Sequence, residues 1–179
     1  YDALSRRVEE IASDGSTRRF EYDAAGQLIS EVDEVGRRTQ YLYDARGRRV
    51  EQRNADGTLR RWEYDAAGRL IAETDEQGRV TSYLHDALGN VVETRYPDGS
   101  KSQSTFDSEG RLLSKTDALG ATTTFSYNAI GQLLTTTDPL GHTRRYSYDE
   151  LGNRVIEQDE SGAETRYRYD NASRLLSVT

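Results

Sequence analysis

The sequence predicts an all-β fold, a long curved antiparallel β-meander built from 21-residue repeats. Three observations carry that prediction. First, the fifteen glycines fall on two interleaved rulers. One runs Gly26, Gly47, Gly68, Gly89, Gly110, Gly131, Gly152, and the other runs Gly15, Gly36, Gly57, Gly78, Gly99, Gly120, Gly141, Gly162. A fixed period of this kind marks a repeat architecture. Second, fifteen of the sixteen aromatic residues stand in two columns of the same period. Third, the segments between glycine turns are short and rich in Thr, Val, Ile, Leu and Tyr, which suit strands.

The turns come first in the unit. The copies open at Tyr1, Tyr22, Tyr43, Tyr64, His85, Phe106, Tyr127, Tyr148 and Tyr169, with no insertion or deletion. Two Asp-x-x-Gly tetrapeptides characterise a copy, as Asp23 to Gly26 and Asp33 to Gly36 in the second copy. The fourth copy repeats them as Asp65 to Gly68 and Asp75 to Gly78, and Asp44 to Gly47 and Asp149 to Gly152 belong to the same series. Asp at the first and Gly at the fourth position predict a type I turn, with the carboxylate accepting from turn N–H groups and Gly adopting positive φ.

The strands follow from the spacing. Segments such as Gln27 to Val32 and Arg37 to Tyr43 span roughly 20 Å at about 3.3 Å per residue. Helices of that length are marginal, and the recurring glycines would break them. Short connections force antiparallel neighbours, giving about 17 strands. A four-strand grouping over the 42-residue echo between Arg18–Gly47 and Arg60–Gly89 would suit a propeller blade, but the equivalence of successive copies favours the meander.

The columns predict which face is covered. Tyr22, Tyr43, Tyr64, Tyr127 and Tyr148 belong to the first aromatic column; Phe20, Tyr41, Trp62, Tyr83, Phe125, Tyr146 and Tyr167 form the second, two residues earlier. A separation of two puts both columns on one face. A third column, from Val8 through Ile29, Val50 and Ile71 to Leu176, is always aliphatic. A two-residue loop would set Tyr41 opposite Val50 and Trp62 opposite Ile71; a G1 bulge at Gly47 would shift the pairing and lose that match. Both remain open at the level of sequence. The expectation is one apolar face with phenolic tips and one charged, wet face.

Composition narrows function. Hydrophobic content of 34% and a mean hydropathy of −0.88 would suit disorder, but strict periodicity argues for structure. The net charge of −7 disfavours nucleic acid, which needs a positive groove; the paired arginines suit a salt-bridged face. No cysteine is present, so there is neither a disulfide framework nor a thiolate metal site. No apolar run is long enough for a membrane-spanning helix. His85 takes an aromatic position and His142 follows a turn, so neither suggests catalysis or a metal site. No cofactor is expected. The chain starts and stops in mid-copy, which points to an excerpt of a longer array covering 1–179.

The pattern Tyr-Asp-x-x-Gly-x-Leu, as in Tyr22-Asp23-Ala24-Ala25-Gly26-Gln27-Leu28 and Tyr64-Asp65-Ala66-Ala67-Gly68-Arg69-Leu70, resembles the YD repeat of rearrangement-hotspot (Rhs) proteins of bacterial polymorphic toxins, toxin complexes and teneurins. The resemblance covers the whole chain. It implies a secreted or cell-surface, non-enzymatic wall that spirals with further YD repeats into a shell around a C-terminal toxin or effector. Asp138-Pro139-Leu140-Gly141 matches the start of the family's self-cleaving segment, but it lacks the following glycines and sits at an ordinary turn position. An extracellular carbohydrate-binding or adhesion module, with aromatic columns stacking on glycans, is the alternative. The terminal strands leave edges that could pair with more of the same array.

Overall fold

A computed structural model describes residues 1–179. It contains seventeen strands and no helix. Two compact units divide the chain, Tyr1–Tyr83 and Leu84–Thr179. The first holds β1 (Glu9–Ile11), β2 (Thr17–Tyr22), β3 (Leu28–Val32), β4 (Arg38–Tyr43), β5 (Arg49–Arg53), β6 (Leu59–Tyr64), β7 (Leu70–Thr74) and most of β8 (Val80–His85). Each strand there pairs antiparallel with its neighbour in sequence.

The second unit holds β9 (Val91–Arg95), β10 (Lys101–Phe106), β11 (Leu112–Thr116), β12 (Thr122–Tyr127), β13 (Leu133–Thr137), β14 (Thr143–Tyr148), β15 (Arg154–Gln158), β16 (Glu164–Tyr169) and β17 (Leu175–Val178). Its strands also pair antiparallel in chain order. Within each unit, strands touch only their sequence neighbours. Each unit is therefore a single layer, as loops too short for a crossover require.

The loops are not two-residue hairpins. At Gly47, φ is +79°. Its N–H donates to Asp44 C=O at 3.0 Å, while Asp44 N–H donates to Arg48 C=O at 2.9 Å. This is a type I turn closed by a G1 bulge. A second bulge follows, because Tyr43 pairs with Arg49 but Leu42 pairs with Glu51. Val50 is the extra residue. Ile29, Ile71, Leu113, Leu134, Val155 and Leu176 are skipped in the same way. The two bulges together shift the ladder by two, so Tyr41 faces Gln52 and Trp62 faces Glu73. The turn at Gly36 has the G1 bulge alone, with Val32 paired to Arg38.

The register also corrects the expected division into apolar and charged faces. Phe20 lies opposite Glu31, and Tyr146 opposite Glu157, so carboxylates share the aromatic face. The aromatic–aliphatic pairs that do form join the first column to the residue before the aliphatic column, as in Tyr22–Leu28 and Tyr64–Leu70. Tyr41 is the one buried hydrophobic side chain, and the buried polar ones are Ser30 and Glu93. The accessible surface is 11,940 Å², against about 8,800 Å² for a compact protein of this mass. The excess fits one-layer sheets whose faces nothing in either unit covers.

Candidate interaction surface

From Tyr22 onward, each opening tyrosine is tied to the copy before it. The Tyr43 phenol donates to Leu28 C=O at 2.8 Å, Tyr64 to Arg49 C=O at 3.2 Å, Tyr127 to Leu112 C=O at 3.0 Å and Tyr148 to Leu133 C=O at 2.9 Å. Tyr22 reaches Arg7 C=O at 3.0 Å. The acceptor always lies fifteen residues upstream. Phe106 has no hydroxyl with which to make this bond.

The aspartate beside that tyrosine clamps its turn. Asp44 Oδ1 accepts from the N–H groups of Arg46 and Arg48 at 2.9 and 3.0 Å, and Oδ2 accepts from Arg48 Nε at 2.8 Å. Asp33 and Asp75 do the same for Arg37 and Arg79. Asp65 binds Arg69 through its N–H and Nε, and Asp149 binds Leu151 and Asn153. Asp23 accepts from Gln27 N–H. Bonds to the ionised form lower a carboxyl pKa. The Arg48 guanidinium, then the Arg48 N–H, hold Asp44 below the usual carboxylate range. For Asp33 and Asp65 the leading cause is the backbone N–H of Arg37 and Arg69, respectively.

Three second turns open instead with Ala12, Asn54 and Tyr96. There an aspartate two places later takes over, with Asp14, Asp56 and Asp98 accepting from the N–H and hydroxyl of Ser16, Thr58 and Ser100.

The residue after the first-turn glycine links successive copies at Gln27, Arg48, Asn90, Arg111 and Gln132, a role the sequence reading missed. Arg48 reaches back to Asp44 and forward to the next copy, with its guanidinium 4.5 Å from the Tyr64 ring centroid. A Cβ on Gly68 would lie 3.4 Å from Arg48 Nη1. Gln27 occupies the same place over Gly47, Asn90 over Gly110, Arg111 over Gly131 and Gln132 over Gly152. Arg111 also sits 5.4 Å from the Tyr127 ring centroid. The available signal was the polar column Gln27, Arg48, Arg69, Asn90, Arg111, Gln132 and Asn153 directly after the glycines. Asp23, Asp44, Asp65 and Asp149 with Gly26, Gly47, Gly68, Gly110, Gly131 and Gly152 all belong to first turns; Gly36 and Gly78 lie in second turns, with open space where a Cβ would be.

The second column makes another set of contacts. Tyr41 donates to Glu31 at 2.6 Å, and Tyr83 to Glu73 at 2.6 Å. Arg49 lies 4.1 Å from the Tyr41 centroid and Arg60 lies 5.7 Å from that of Trp62. Burial, and then the Glu31 carboxylate, push the Tyr41 phenol up to about 12.

His142 Nδ1 lies 3.0 Å from Asp138 Oδ2 on an exposed turn. Asp138 Oδ1 accepts from Leu140 and His142 N–H, and Gly141 N–H donates to Asp138 C=O. The Asp-Pro segment thus has the same turn geometry as its counterparts. No three His, Cys, Asp or Glu side chains are grouped so as to hold a metal ion, and no helix is long and apolar enough to cross a membrane.

A search among curated proteins returns no match. Among solved structures, the chain is similar to one in the crystal structure of TcdB2–TccC3–Cdc42, at 18% identity and a TM-score of 0.50, over 95% of this chain and 13% of that one. It is also similar to one in a Photorhabdus luminescens Tc holotoxin pore carrying a TccC3 mutation, at 17% identity and a TM-score of 0.49, over 94% and 12%. The chain thus spans only about an eighth of the chains it resembles. The first likeness is one of fold. The RHS Repeat family model matches residues 1–36, 22–59, 64–101, 106–142, 127–159 and 153–179. With the tyrosine tie and aspartate clamp recurring through those segments, this chain belongs to the RHS repeat family.

Proposed function

We propose that this chain is a non-enzymatic length of wall in an extracellular β-shell, which joins further YD repeats of its parent chain to enclose a C-terminal toxin or effector. One observation carries the reading. Within each unit, tyrosine-opened copies are bonded to the copy before through the phenol, yet no second layer covers the aromatic face of either unit. A one-layer sheet of many strands gains by curling round something. Family membership and the fold shared with a TccC3-containing structure support this role. The two terminal strands, β1 and β17, would join neighbouring repeats at their edges.

The carbohydrate or adhesion reading is less favoured, because guanidinium groups already lie over the rings of Tyr22, Tyr41, Trp62, Tyr64 and Tyr127. Those ring faces are not free for a sugar.

Limited proteolysis of the full parent protein with mass spectrometry tests the proposal. A resistant array that holds a C-terminal fragment until denaturation is the expected result. Ready cleavage at the turns, with no retained fragment, overturns it. Saturable binding on a glycan panel, abolished by Trp62→Ala without loss of fold, would favour the alternative.

A further inference from the structure

The fifth copy departs from the aromatic pattern twice. Its second column is interrupted, with Ser104 where the other copies carry a ring, and Tyr96, the one aromatic outside both columns, opens its second turn. Between the two, within the second unit, lies a hollow of about 510 Å³. This falls within the size range of ligand clefts. Strands β9, β10 and β11 form its floor, where Thr94 pairs with Ser102 and Ser104 with Lys115. Ser102 and Ser104 are two residues apart and share a face. Asp117 opens the turn after β11, and Tyr96 stands at the side with its phenol 3.3 Å from Ser102 Oγ.

The polar groups around this hollow are uncommitted. The hydroxyls of Thr94 and Ser104 and the ammonium of Lys115 bond to no other group of the protein. Asp117 Oδ1 accepts from the N–H groups of Leu119 and Ala121. Its Oδ2 makes no bond, because position 121 is Ala121 where other turns place an arginine. On the opposite face of this part of the sheet the hydroxyls do pair, Thr105 with Ser114 at 2.7 Å and Thr116 with Thr122 at 2.8 Å. Glu93 also lines the hollow, but its two oxygens are taken by Arg95, Lys101 and Gln103. Tyr96 is 39% exposed. No guanidinium lies over its ring, unlike those of Tyr41 and Trp62.

Hydroxyls both donate and accept, an ammonium donates, and a carboxylate accepts. Lys115 and Asp117 offset each other, so the hollow suits a neutral ligand with several donors and acceptors. An uncovered tyrosine ring adds an apolar platform with a polar tip. A hexopyranose meets these demands together, being neutral, rich in hydroxyls and bounded by a C–H face. We infer that the hollow beside Tyr96 is a binding site for a neutral hexopyranose, whose C–H face lies on the Tyr96 ring and whose hydroxyls bond Ser104, Lys115 and Asp117. The site goes beyond the role of a wall and does not depend on an enclosed cargo. It also uses none of the column rings already covered by guanidinium groups.

Saturation-transfer NMR on the full parent protein, with methyl glucoside, methyl galactoside and methyl mannoside as probes, tests the site. Saturable binding of at least one is expected. It should be lost in Tyr96→Ala, and in Ser104→Phe, which returns a ring to the column as Phe20 and Phe125 do. Lys115→Gln and Asp117→Asn should each weaken it about two- to tenfold, the loss of one hydrogen bond. Both should keep the fold, since Lys115 is exposed and Asn128 shows that asparagine holds such a turn. Glucose 6-phosphate should bind no more tightly than methyl glucoside, because the site carries no net positive charge. No saturable binding of any of the three glycosides overturns the inference, as does tighter binding of the phosphate or binding unchanged in both Lys115→Gln and Asp117→Asn. Binding lost in Trp62→Ala but kept in Tyr96→Ala would put the sugar on the columns and overturn it too.

Discussion

Tyr43 donates its phenolic hydrogen to the carbonyl of Leu28 at 2.8 Å, across the boundary between one copy and the next. The same bond recurs fifteen residues apart wherever tyrosine opens a copy from Tyr22 onward. It explains why a phenol, and not only a ring, suits that position.

Tyr43→Phe should therefore destabilise the array by about 0.5–1.5 kcal/mol, the net value of one hydrogen bond. The natural exception gives the reverse test. Phe106→Tyr would place a hydroxyl where it can reach Val91 C=O, and should stabilise by a similar amount. Urea unfolding of both variants checks this, and a neutral or harmful Phe106→Tyr would argue against the tie.

Gly57 has φ of +84° and nothing within 4 Å of a built Cβ. Any cost of Gly57→Ala is thus backbone strain, about 1–2 kcal/mol. Gly57→Asn should cost less, because asparagine tolerates this region. Equal thermal midpoints for the two variants would contradict the assignment.

The aspartate clamps make stability fall in acid. Asp44 and Asp33 are held below their ordinary values. A depressed folded-state pKa contributes stability above the unfolded value of about 3.9. That contribution is lost as pH falls through the lower folded value. Side-chain carbon NMR titration should place both carboxyls below the unfolded range. Asp44→Asn should keep the turn at neutral pH, as Asn128 does through its Oδ1 with Ile130 and Gln132, and should show a shallower acid dependence.

Tyr41 gives the opposite limb. With its phenol at about 12, the neutral form is favoured in the folded state. Its contribution is present below the unfolded value of about 10 and lost as pH rises through the folded one. Near-ultraviolet titration should show one late-ionising tyrosine that disappears in Tyr41→Phe.

Trp62 is half-buried. Trp62→Ala in this chain should cost about 1–2 kcal/mol, since only part of a full side-chain burial of 1.5–3 kcal/mol is lost. A loss of about 3–5 kcal/mol in the parent protein would mean that other segments cover this face there. Chemical denaturation of the two forms makes the comparison.

Much of the architecture was legible because it is local. Asp and Gly four residues apart specify a turn, and short β-rich segments between turns specify antiparallel neighbours, so strands such as Arg38–Tyr43 and Leu59–Tyr64 follow from periodicity. The tyrosine, aspartate and glycine columns were visible for the same reason. What the columns touch was not visible, since contacts depend on register. A G1 bulge at Gly47 and a second bulge at Val50 each add one residue to the ladder, and two such additions put Tyr41 opposite Gln52, where a two-residue loop would have set it opposite Val50. That shift put Glu31 and Glu73 among the aromatics and laid Arg49 over Tyr41. The sequence by itself determined the strands, the turns and the family resemblance, because these arise from interactions within a few residues. Only the tertiary structure decided the partners of each tyrosine, the bridging role of Arg48 and the hollow at Ser104, because each is set by backbone brought together from different strands or copies.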